Sequence, residues 1–253
     1  MTELYSSMDV GLGATKRPFF FRKKSTDEQV IKEVLVDKQY DLNRLVRTAD
    51  LIGLLQRCEA KGRRPLIVDA GANIGASVIH FFAQLMPVTR PVIVAVEPHA
   101  GNFELLTRNV EGLEVHAIHG AVAAEPGKMR VIDPGSGHWG YQTEPATVAD
   151  DANAVRCVTI DQIFGEHAPR AFPFIVKVDI EGAEKNLFSA NTDWIRRTPL
   201  LIVETHDWLF PRRATARPFL SCIANLDRDF VSIGDDVYSI ANDLDRLAAE
   251  DGS

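Results

Sequence analysis

Titratable side chains lie at the ends of two apolar runs in the second half of the chain. Lys177 and Asp179 are two positions apart, as are Glu204 and His206. Residues with this spacing on an extended strand lie on the same side, so each pair would face one space. A carboxylate or an imidazole there could take a proton from a substrate, with Lys177 orienting a carboxylate.

Two other interpretations of the same residues remain open. Asp179, Glu204 and His206 could bind Mg²⁺ or Mn²⁺, because oxygen-rich ligand sets suit these ions, although we expect no metal. Lys177 could instead form a structural ion pair with Glu181 or Glu204, because a lysine within a buried strand needs a partner.

A second candidate site lies at the glycine-containing turn Asp69–Gly75, where free N–H groups at a helix start could approach a ligand. The turn lacks the Gly-Lys-Ser/Thr ending of a P-loop and the third glycine of a dinucleotide fingerprint. Glu97 ends the next apolar run, where a carboxylate can accept hydrogen bonds from both ribose hydroxyls of an adenosine. Because Asp69 would face the same crevice, the carboxylates favour the cationic S-adenosylmethionine over NAD.

The elements that must position these residues alternate between short apolar runs and amphipathic segments. This alternation predicts the α/β fold class, with a parallel sheet covered by helices on both faces. Predicted strands are 66–68, 92–96, 114–118, 129–132, 155–160, 174–178, 200–203, 230–233 and 237–240. Predicted helices start at Ser25–Glu28 and then cover 47–60, the segment after Gly75 to about Met86, 100–110, 183–190 and 217–226. Gly234–Asp236 predicts a hairpin, which would add an antiparallel edge to the sheet.

The basic run Lys16–Lys24 surrounds three phenylalanines. It predicts an edge strand with its rings packed inward and its basic residues shielding the edge. A patch for a polyanion or a membrane surface is the alternative.

Length and composition fit a single globular α/β domain. The chain has 253 residues, of which 45% are hydrophobic and 25% charged. Its net charge of −7 gives no reason to expect a nucleic-acid partner. Three widely spaced cysteines predict reduced thiols. Together with the lack of a secretory signal pattern or a long apolar stretch, they predict a cytoplasmic protein without a membrane span.

Several motifs resemble those of a known enzyme family. The segment Val68–Gly75 resembles the first motif of class I S-adenosylmethionine-dependent methyltransferases, and Val96–Pro98 resembles the second. Val176–Glu184 is more specific and resembles the signature of the FkbM family. Thr159–Asp161 and Val203–His206 resemble the motifs that flank this signature.

The resemblance covers residues 20–241 and implies a Rossmann-like fold with a mostly parallel seven-stranded sheet and a C-terminal antiparallel hairpin. A helical and strand extension at 1–64 would precede a methyltransferase domain at 65–253. The family resemblance implies O-methylation of a hydroxyl on a sugar, polyketide or other secondary metabolite. The partner would then be a small-molecule or glycan acceptor, selected by the loop 133–154, which matches no motif.

If the reaction is methyl transfer, the residues expected to take part in catalysis are Asp179, His206, Lys177 and Glu204. The residues expected to contact the cofactor are Asp69, Gly71, Ala72, Asn73, Gly75, Glu97, Pro98, Ala121 and Asp179. The alternatives are N- or C-methylation on the same fold, a non-catalytic adenosine-binding module and a nicotinamide oxidoreductase. Titratable groups at both strand ends argue against the binding module, and the missing third glycine argues against the oxidoreductase.

Overall fold

The computed structural model describes residues 5–13, 15–135, 137–138, 140–146, 154–168 and 170–250. Its strands are β1 (Tyr5–Leu12), β2 (Thr15–Arg22), β3 (Arg64–Ala70), β4 (Val92–Glu97), β5 (Val115–His119), β6 (Ala121–Val122), β7 (Gly127–Ile132), β8 (Gln142–Pro145), β9 (Ala154–Val158), β10 (Ala171–Val178), β11 (Leu200–Glu204), β12 (Arg228–Ile233) and β13 (Asp236–Ala241).

The helices pack on the faces of the sheets or join their strands. They are α1 (Asp27–Ile31), α2 (Thr48–Glu59), α3 (Ala76–Leu85), α4 (Ala100–Asn109), α5 (Ile160–His167), α6 (Glu184–Leu187), α7 (Arg217–Ala224) and α8 (Leu244–Glu250). A π-helical turn (Lys32–Val36) continues α1, and 3-10 turns cover Leu42–Arg44 and Asp193–Arg197. Among the described residues, none of the helices combines the length and apolar character that a membrane crossing requires.

The main sheet has seven strands in the order β12-β13-β11-β10-β3-β4-β5. The strands from β11 to β5 pair in parallel, whereas β13 runs antiparallel to both of its neighbours. The predicted Rossmann-like α/β fold with a C-terminal antiparallel hairpin is therefore confirmed. A separate four-stranded sheet, ordered β6-β9-β7-β8, is inserted after β5.

The central strands are apolar throughout because both faces of the main sheet are covered. On β3, Leu66 and Val68 belong to one buried hydrophobic cluster, and Ile67 between them belongs to the other. This explains why the sequence shows short continuous apolar runs there and not the alternation of a half-exposed strand.

The sheet register brings polar side chains together at one edge. Parallel pairing of β10 with β3 places Lys177 beside Asp69. Antiparallel pairing of β11 with β13 places Glu204 beside Asp236. The carboxyl ends of parallel strands form the usual ligand-binding edge of such sheets, so the candidate site lies where the fold predicts it.

The N-terminal segment forms the hairpin β1–β2, which confirms the predicted strand in the basic aromatic run. Phe19 is fully buried, and Lys16 is exposed. The guanidinium of Arg108 lies 3.5 Å from the centre of the Phe20 ring. The prediction of an edge strand with its aromatic side packed inward is therefore confirmed for Phe19.

One predicted helix is shorter than expected. The prediction of 183–190 was too long, because α6 covers only Glu184–Leu187. Phe188 leaves the helix to pack on Trp194, with the two ring centres 5.7 Å apart. The helix ends before this indole, which is buried in the following 3-10 turn.

A buried ion pair joins the hairpin to α1. Two of the guanidinium nitrogens of Arg22, Nε and Nη2, donate to the Asp27 carboxylate at 2.9 and 2.8 Å. The backbone N–H of Arg22 donates to the same carboxylate at 2.8 Å. We expect Asp27→Ala to lower the free energy of unfolding by roughly 3–5 kcal/mol, because it leaves a buried guanidinium without its carboxylate. Urea denaturation measures this difference.

Asp37→Asn is the matched control, because the Lys32–Asp37 pair is exposed and its loss should leave the urea midpoint unchanged. Equal midpoints for the two variants would contradict a role for the Arg22–Asp27 pair in stability.

Candidate functional site

Two neighbouring cavities open at the carboxyl ends of β3, β4, β10 and β11. Four residues line both of them: Gly71, Asn73, Asp179 and Glu181. The smaller cavity extends along β4 to Glu97, Pro98 and Ala121. The larger, of about 630 Å³, extends towards Lys177, Glu204, Trp208 and the segment that follows α1. A two-part crevice of this kind can hold two ligands side by side.

The glycines of the turn after β3 are required by close packing. A Cβ added at Gly71 would lie 1.8 Å from the backbone oxygen of Asp179, and one at Gly75 would lie 2.9 Å from Leu106. Both glycines also have positive φ, at 81° and 90°. Replacement of either by a larger residue would displace β10 or α4.

The first three N–H groups of this turn after Ala70 are already bonded within the protein. The N–H groups of Gly71 and Ala72 donate to the Val96 oxygen at 3.0 and 3.1 Å. The N–H of Asn73 donates to the Glu97 carboxylate at 2.9 Å. These bonds hold the first part of the turn against the end of β4, and the expectation of free N–H groups at the start of α3 stays a prediction.

Glu97 is a buried carboxylate with a largely complete set of donors. Besides Asn73, the backbone N–H of His99 donates to it at 2.9 Å, and the Asn102 amide lies 3.4 Å away. Burial raises the pKa of Glu97 to about 7, even though these donors favour the ionised form. Glu97 therefore titrates near neutrality on the wall of the smaller cavity.

The residues expected to contact the cofactor divide into three groups. Those on the smaller cavity are Gly71, Asn73, Glu97, Pro98, Ala121 and Asp179. Ala72 lines the larger cavity instead. Asp69 and Gly75 line neither. Asp69 does not face the crevice as expected, because its carboxylate is fully buried against Lys177 and Ser77.

The ammonium group of Lys177 makes structural contacts within the protein. Its Nζ lies 3.1 Å from the Asp69 carboxylate and donates to the Gly71 carbonyl oxygen at 3.0 Å. Asp179 is further away, at 3.5 Å. Burial alone would lower the pKa of Lys177, but the charges of Asp69 and Asp179 outweigh it and raise that pKa. Lys177 is therefore a permanent cation.

His206 is buried and held in one orientation. Its Nδ1 lies 2.9 Å from the Glu184 carboxylate, and its Nε2 lies 3.6–3.7 Å from oxygens of Asp179, Glu181 and Glu204. Burial lowers the pKa of His206, but the hydrogen bond and charge of Glu184 and the other carboxylates outweigh it and raise the pKa to about 10. The surrounding carboxylates thus favour the protonated ring, and a role for His206 as the base stays a prediction.

The carboxylates around His206 repel one another. The charge of Asp179, followed by burial, raises the pKa of Glu204 to about 9. Burial and the charge of Asp179 raise the pKa of Glu181 to about 7. Burial raises the pKa of Asp236, which pairs with Glu204 across the sheet, to about 6. Such a group either retains protons or attracts a cation.

Glu181, Glu184 and Asp236 were missed as members of this cluster. The Glu184 carboxylate accepts a hydrogen bond from the backbone N–H of Ile180 at 3.2 Å and lies 2.9 Å from Nδ1 of His206. Asp236 could have been found from the hairpin register, which sets it opposite Glu204. The ligand atoms that lie within 4.8 Å of one another belong to Asp179, Glu181 and His206, so Glu181 replaces Glu204 in the expected ligand triad.

The aromatic segment between β7 and β8 reaches the smaller cavity. The rings of His99 and Tyr141 stack with their centres 3.6 Å apart, and Tyr141 lines that cavity. The Asn102 amide donates to the backbone oxygen of His138 at 2.9 Å. Positions 136, 139 and 147–153 of the loop expected to select the acceptor lie outside the described residues.

We expect Lys177→Met to lower the free energy of unfolding by roughly 3–5 kcal/mol, because it leaves the buried Asp69 carboxylate without a cation. The double variant Lys177→Met/Asp69→Asn should recover part of this loss, since it buries no unpaired charge. Urea denaturation of the three proteins measures both effects. Full stability of the single variant would contradict the structural pairing.

Comparison with known proteins gives one match at the level of a family. A family model described as the methyltransferase FkbM domain matches residues 69–231. No curated protein matches the chain. Among solved structures, WbdD, in co-crystal with the kinase inhibitor LY294002, is 12% identical with a TM-score of 0.40 over 83% of this chain and 43% of that one. The present chain thus spans less than half of the WbdD chain.

Two further solved structures are similar over most of both chains. An O-methyltransferase from Bacillus cereus in complex with SAH is 9% identical, with a TM-score of 0.40 over 86% of this chain and 98% of that one. The plantazolicin methyltransferase BpumL in complex with SAH is 8% identical, with a TM-score of 0.33 over 85% of this chain and 98% of that one. Because the family model covers well over half of its residues, the chain belongs to the FkbM family of methyltransferases.

Proposed function

We propose that the protein transfers the methyl group of S-adenosylmethionine to a hydroxyl group of a small-molecule or glycan acceptor. The observation that supports this most strongly is the crevice of two cavities that share Gly71, Asn73, Asp179 and Glu181. Methyl transfer needs two ligands whose reacting atoms meet in line, and a shared wall provides one meeting point.

The smaller cavity is the proposed cofactor side. The Glu97 carboxylate would accept hydrogen bonds from the ribose hydroxyls, and the neighbouring residues Pro98 and Ala121 would contact the adenosine. The cavity leaves about 40 Å³ free, far below the roughly 300–1,000 Å³ of typical ligand pockets. We therefore expect Tyr141 and Thr143, which line it, to move aside when the nucleoside binds.

The larger cavity is the proposed acceptor side. Carboxylates on its wall can accept hydrogen bonds from a polyhydroxylated molecule, and the Trp208 ring, 59% exposed at the cavity, can stack on the apolar face of a sugar. Gln29, Val30 and Tyr40 also line it. We accordingly assign residues 1–64 as a covering extension of the methyltransferase domain at 65–253.

The bound cofactor supplies a methyl group made electrophilic by a cationic sulfur. Asp179 lies at the junction of the two cavities, 25% exposed in its side chain, where an acceptor hydroxyl would approach. We assign it to orient that hydroxyl and accept its proton, while Glu204 binds the acceptor. The ammonium group of Lys177 would position Asp179 by charge attraction. The positive charge of His206 would position the surrounding carboxylates in the same way.

The cofactor class is tested by calorimetry with S-adenosylhomocysteine and NAD⁺ on the same protein sample. We expect binding of S-adenosylhomocysteine and no measurable binding of NAD⁺. Binding of NAD⁺ alone would reject the proposal in favour of an oxidoreductase.

The acceptor atom is tested with S-adenosylmethionine carrying a ¹³C methyl group and a panel of hydroxylated sugars and amino sugars. We expect the label in a product whose carbon chemical shift is that of an O-methyl group. An N-methyl or C-methyl product would retain the methyltransferase and reject O-methylation. S-adenosylhomocysteine binding without transfer to any member would favour the adenosine-binding module.

The affinity for S-adenosylhomocysteine should depend on pH through Glu97. Because the pKa of this carboxyl is raised to about 7, the group is mostly protonated at pH 6 and mostly ionised at pH 8. Only the ionised form accepts hydrogen bonds with both oxygens, so binding should be about ten-fold weaker at pH 6 than at pH 8. Glu97→Gln should bind weakly at both pH values. An equal pH dependence in the variant would assign the titration to another group.

A further inference from the structure

We propose that Asp179, Glu181 and His206 form a binding site for a divalent metal ion, with Glu204 as a fourth donor. One ligand atom from each of the first three residues lies within 4.8 Å of the other two. Asp179 and Glu181 line both cavities, so the ion would sit at their junction.

His206 is oriented as a metal ligand would be. The Glu184 carboxylate, itself buried and fixed by the backbone N–H of Ile180, holds Nδ1 at 2.9 Å. This leaves Nε2 directed at the other carboxylates, where a bound metal ion would replace the ring proton that they stabilise. Metal-binding histidines commonly have their second nitrogen bound to a carboxylate in this way.

The Nε2 atom of His206 is a buried polar atom without a hydrogen-bond partner among the described residues. The His206 side chain is only 1% exposed, so water does not satisfy this nitrogen from bulk solvent. Buried polar atoms are nearly always satisfied, so an unpaired nitrogen that faces three carboxylates is available to a ligand.

The distances around Nε2 suit a common ion better than hydrogen bonds. Oxygens of Asp179, Glu181 and Glu204 lie 3.7, 3.6 and 3.7 Å from it, beyond hydrogen-bond range. Two ligand atoms that each lie about 2.1 Å from one ion, at 90–120° to each other, are about 3.0–3.6 Å apart. The distances from Nε2 to these oxygens would need to shorten by only a few tenths of an ångström.

The charge balance of the larger cavity also favours a cation. Its wall carries the carboxylates of Glu33, Asp37, Asp179, Glu181, Glu204, Asp235 and Asp236. The cations on the same wall are Lys177 and Arg44. Lys177 is already paired with Asp69. A divalent ion would relieve the repulsion among the carboxylates that face His206.

The donor set of one imidazole nitrogen with carboxylate oxygens suits Mn²⁺ or Zn²⁺ better than Ca²⁺, which takes oxygen ligands. The role of the ion rests on the proposed function: at the junction of the cavities it would orient and polarise the acceptor hydroxyl. Its binding does not depend on that function and can be measured without cofactor or acceptor.

The test is a titration of the full chain, stripped of metal by a chelator, with Mn²⁺ alone, in which electron paramagnetic resonance reports the free ion. We expect one saturable site. Glu181→Gln should weaken Mn²⁺ binding at least ten-fold, because it removes a donor from a partly exposed position and preserves shape. Glu184→Gln should weaken it by about 10–100-fold, because it releases the orientation of His206.

Asp235→Asn is the matched control. It removes one charge from the exposed rim of the same cavity, Asp235 is not among the carboxylates that pair with His206, and the change should leave the Mn²⁺ affinity unchanged. Circular dichroism checks that each variant is folded, and if Glu184→Gln fails to fold, Glu181→Gln alone decides.

Absence of a saturable site, or equal weakening by Asp235→Asn and Glu181→Gln, would overturn the metal site. In the second case the ions would be attracted only by diffuse charge. Calorimetry of S-adenosylhomocysteine with the metal-free protein separates this result from the proposed function. Cofactor binding without Mn²⁺ binding rejects only the metal site, and Mn²⁺ binding without cofactor binding rejects only the methyltransferase proposal.

Discussion

The buried pair of Lys177 with Asp69 is the interaction on which the site depends. The register of the two central strands sets these residues side by side, in a part of the sheet where neither charge reaches water. Lys177 also donates to the Gly71 carbonyl oxygen and so fixes the turn that begins the crevice. A neutral residue at either position would leave a buried charge, so the glycine turn, the strand register and the pair are maintained together.

This pairing also determines the electrostatics of the crevice. Because Lys177 lies closer to Asp69 than to Asp179, the carboxylates of Asp179, Glu181 and Glu204 outnumber the cations beside them, which are Lys177 and the imidazolium of His206 among the described residues. Burial with the charge of Asp179 raises the pKa of Glu181, and the charge of Asp179 with burial raises that of Glu204, in keeping with an excess of negative charge. A cationic sulfonium ligand or a metal ion would reduce it, whereas a diphosphate would increase it. The charge distribution therefore separates the proposed cofactor from a dinucleotide more strongly than the glycine pattern does.

Much of the fold could be predicted from the sequence, because buried parallel strands require short, continuous apolar runs such as the one before Asp69. The site was less predictable, because its chemistry depends on contacts between distant turns. The place of Glu97 in the candidate site could be predicted from its position at the end of β4 alone. The position of Glu181 depends on a backbone with φ of 53°, which spacing does not show. The raised pKa of His206 depends on its contact with Glu184, which lies 22 positions away in the chain and is not shown by spacing.

The N-terminal extension is coupled to the proposed cofactor side through one amide. Asn102 accepts a hydrogen bond from Arg22 at 2.6 Å, lies 3.4 Å from the Glu97 carboxylate, and donates to the His138 backbone oxygen at 2.9 Å. Arg22 is itself held by the buried carboxylate of Asp27. Any displacement of the β1–β2 hairpin would therefore reach the carboxylate expected to bind the ribose and the segment that carries Tyr141. The extension thus contacts the structural support of the site, although the family model matches only residues 69–231.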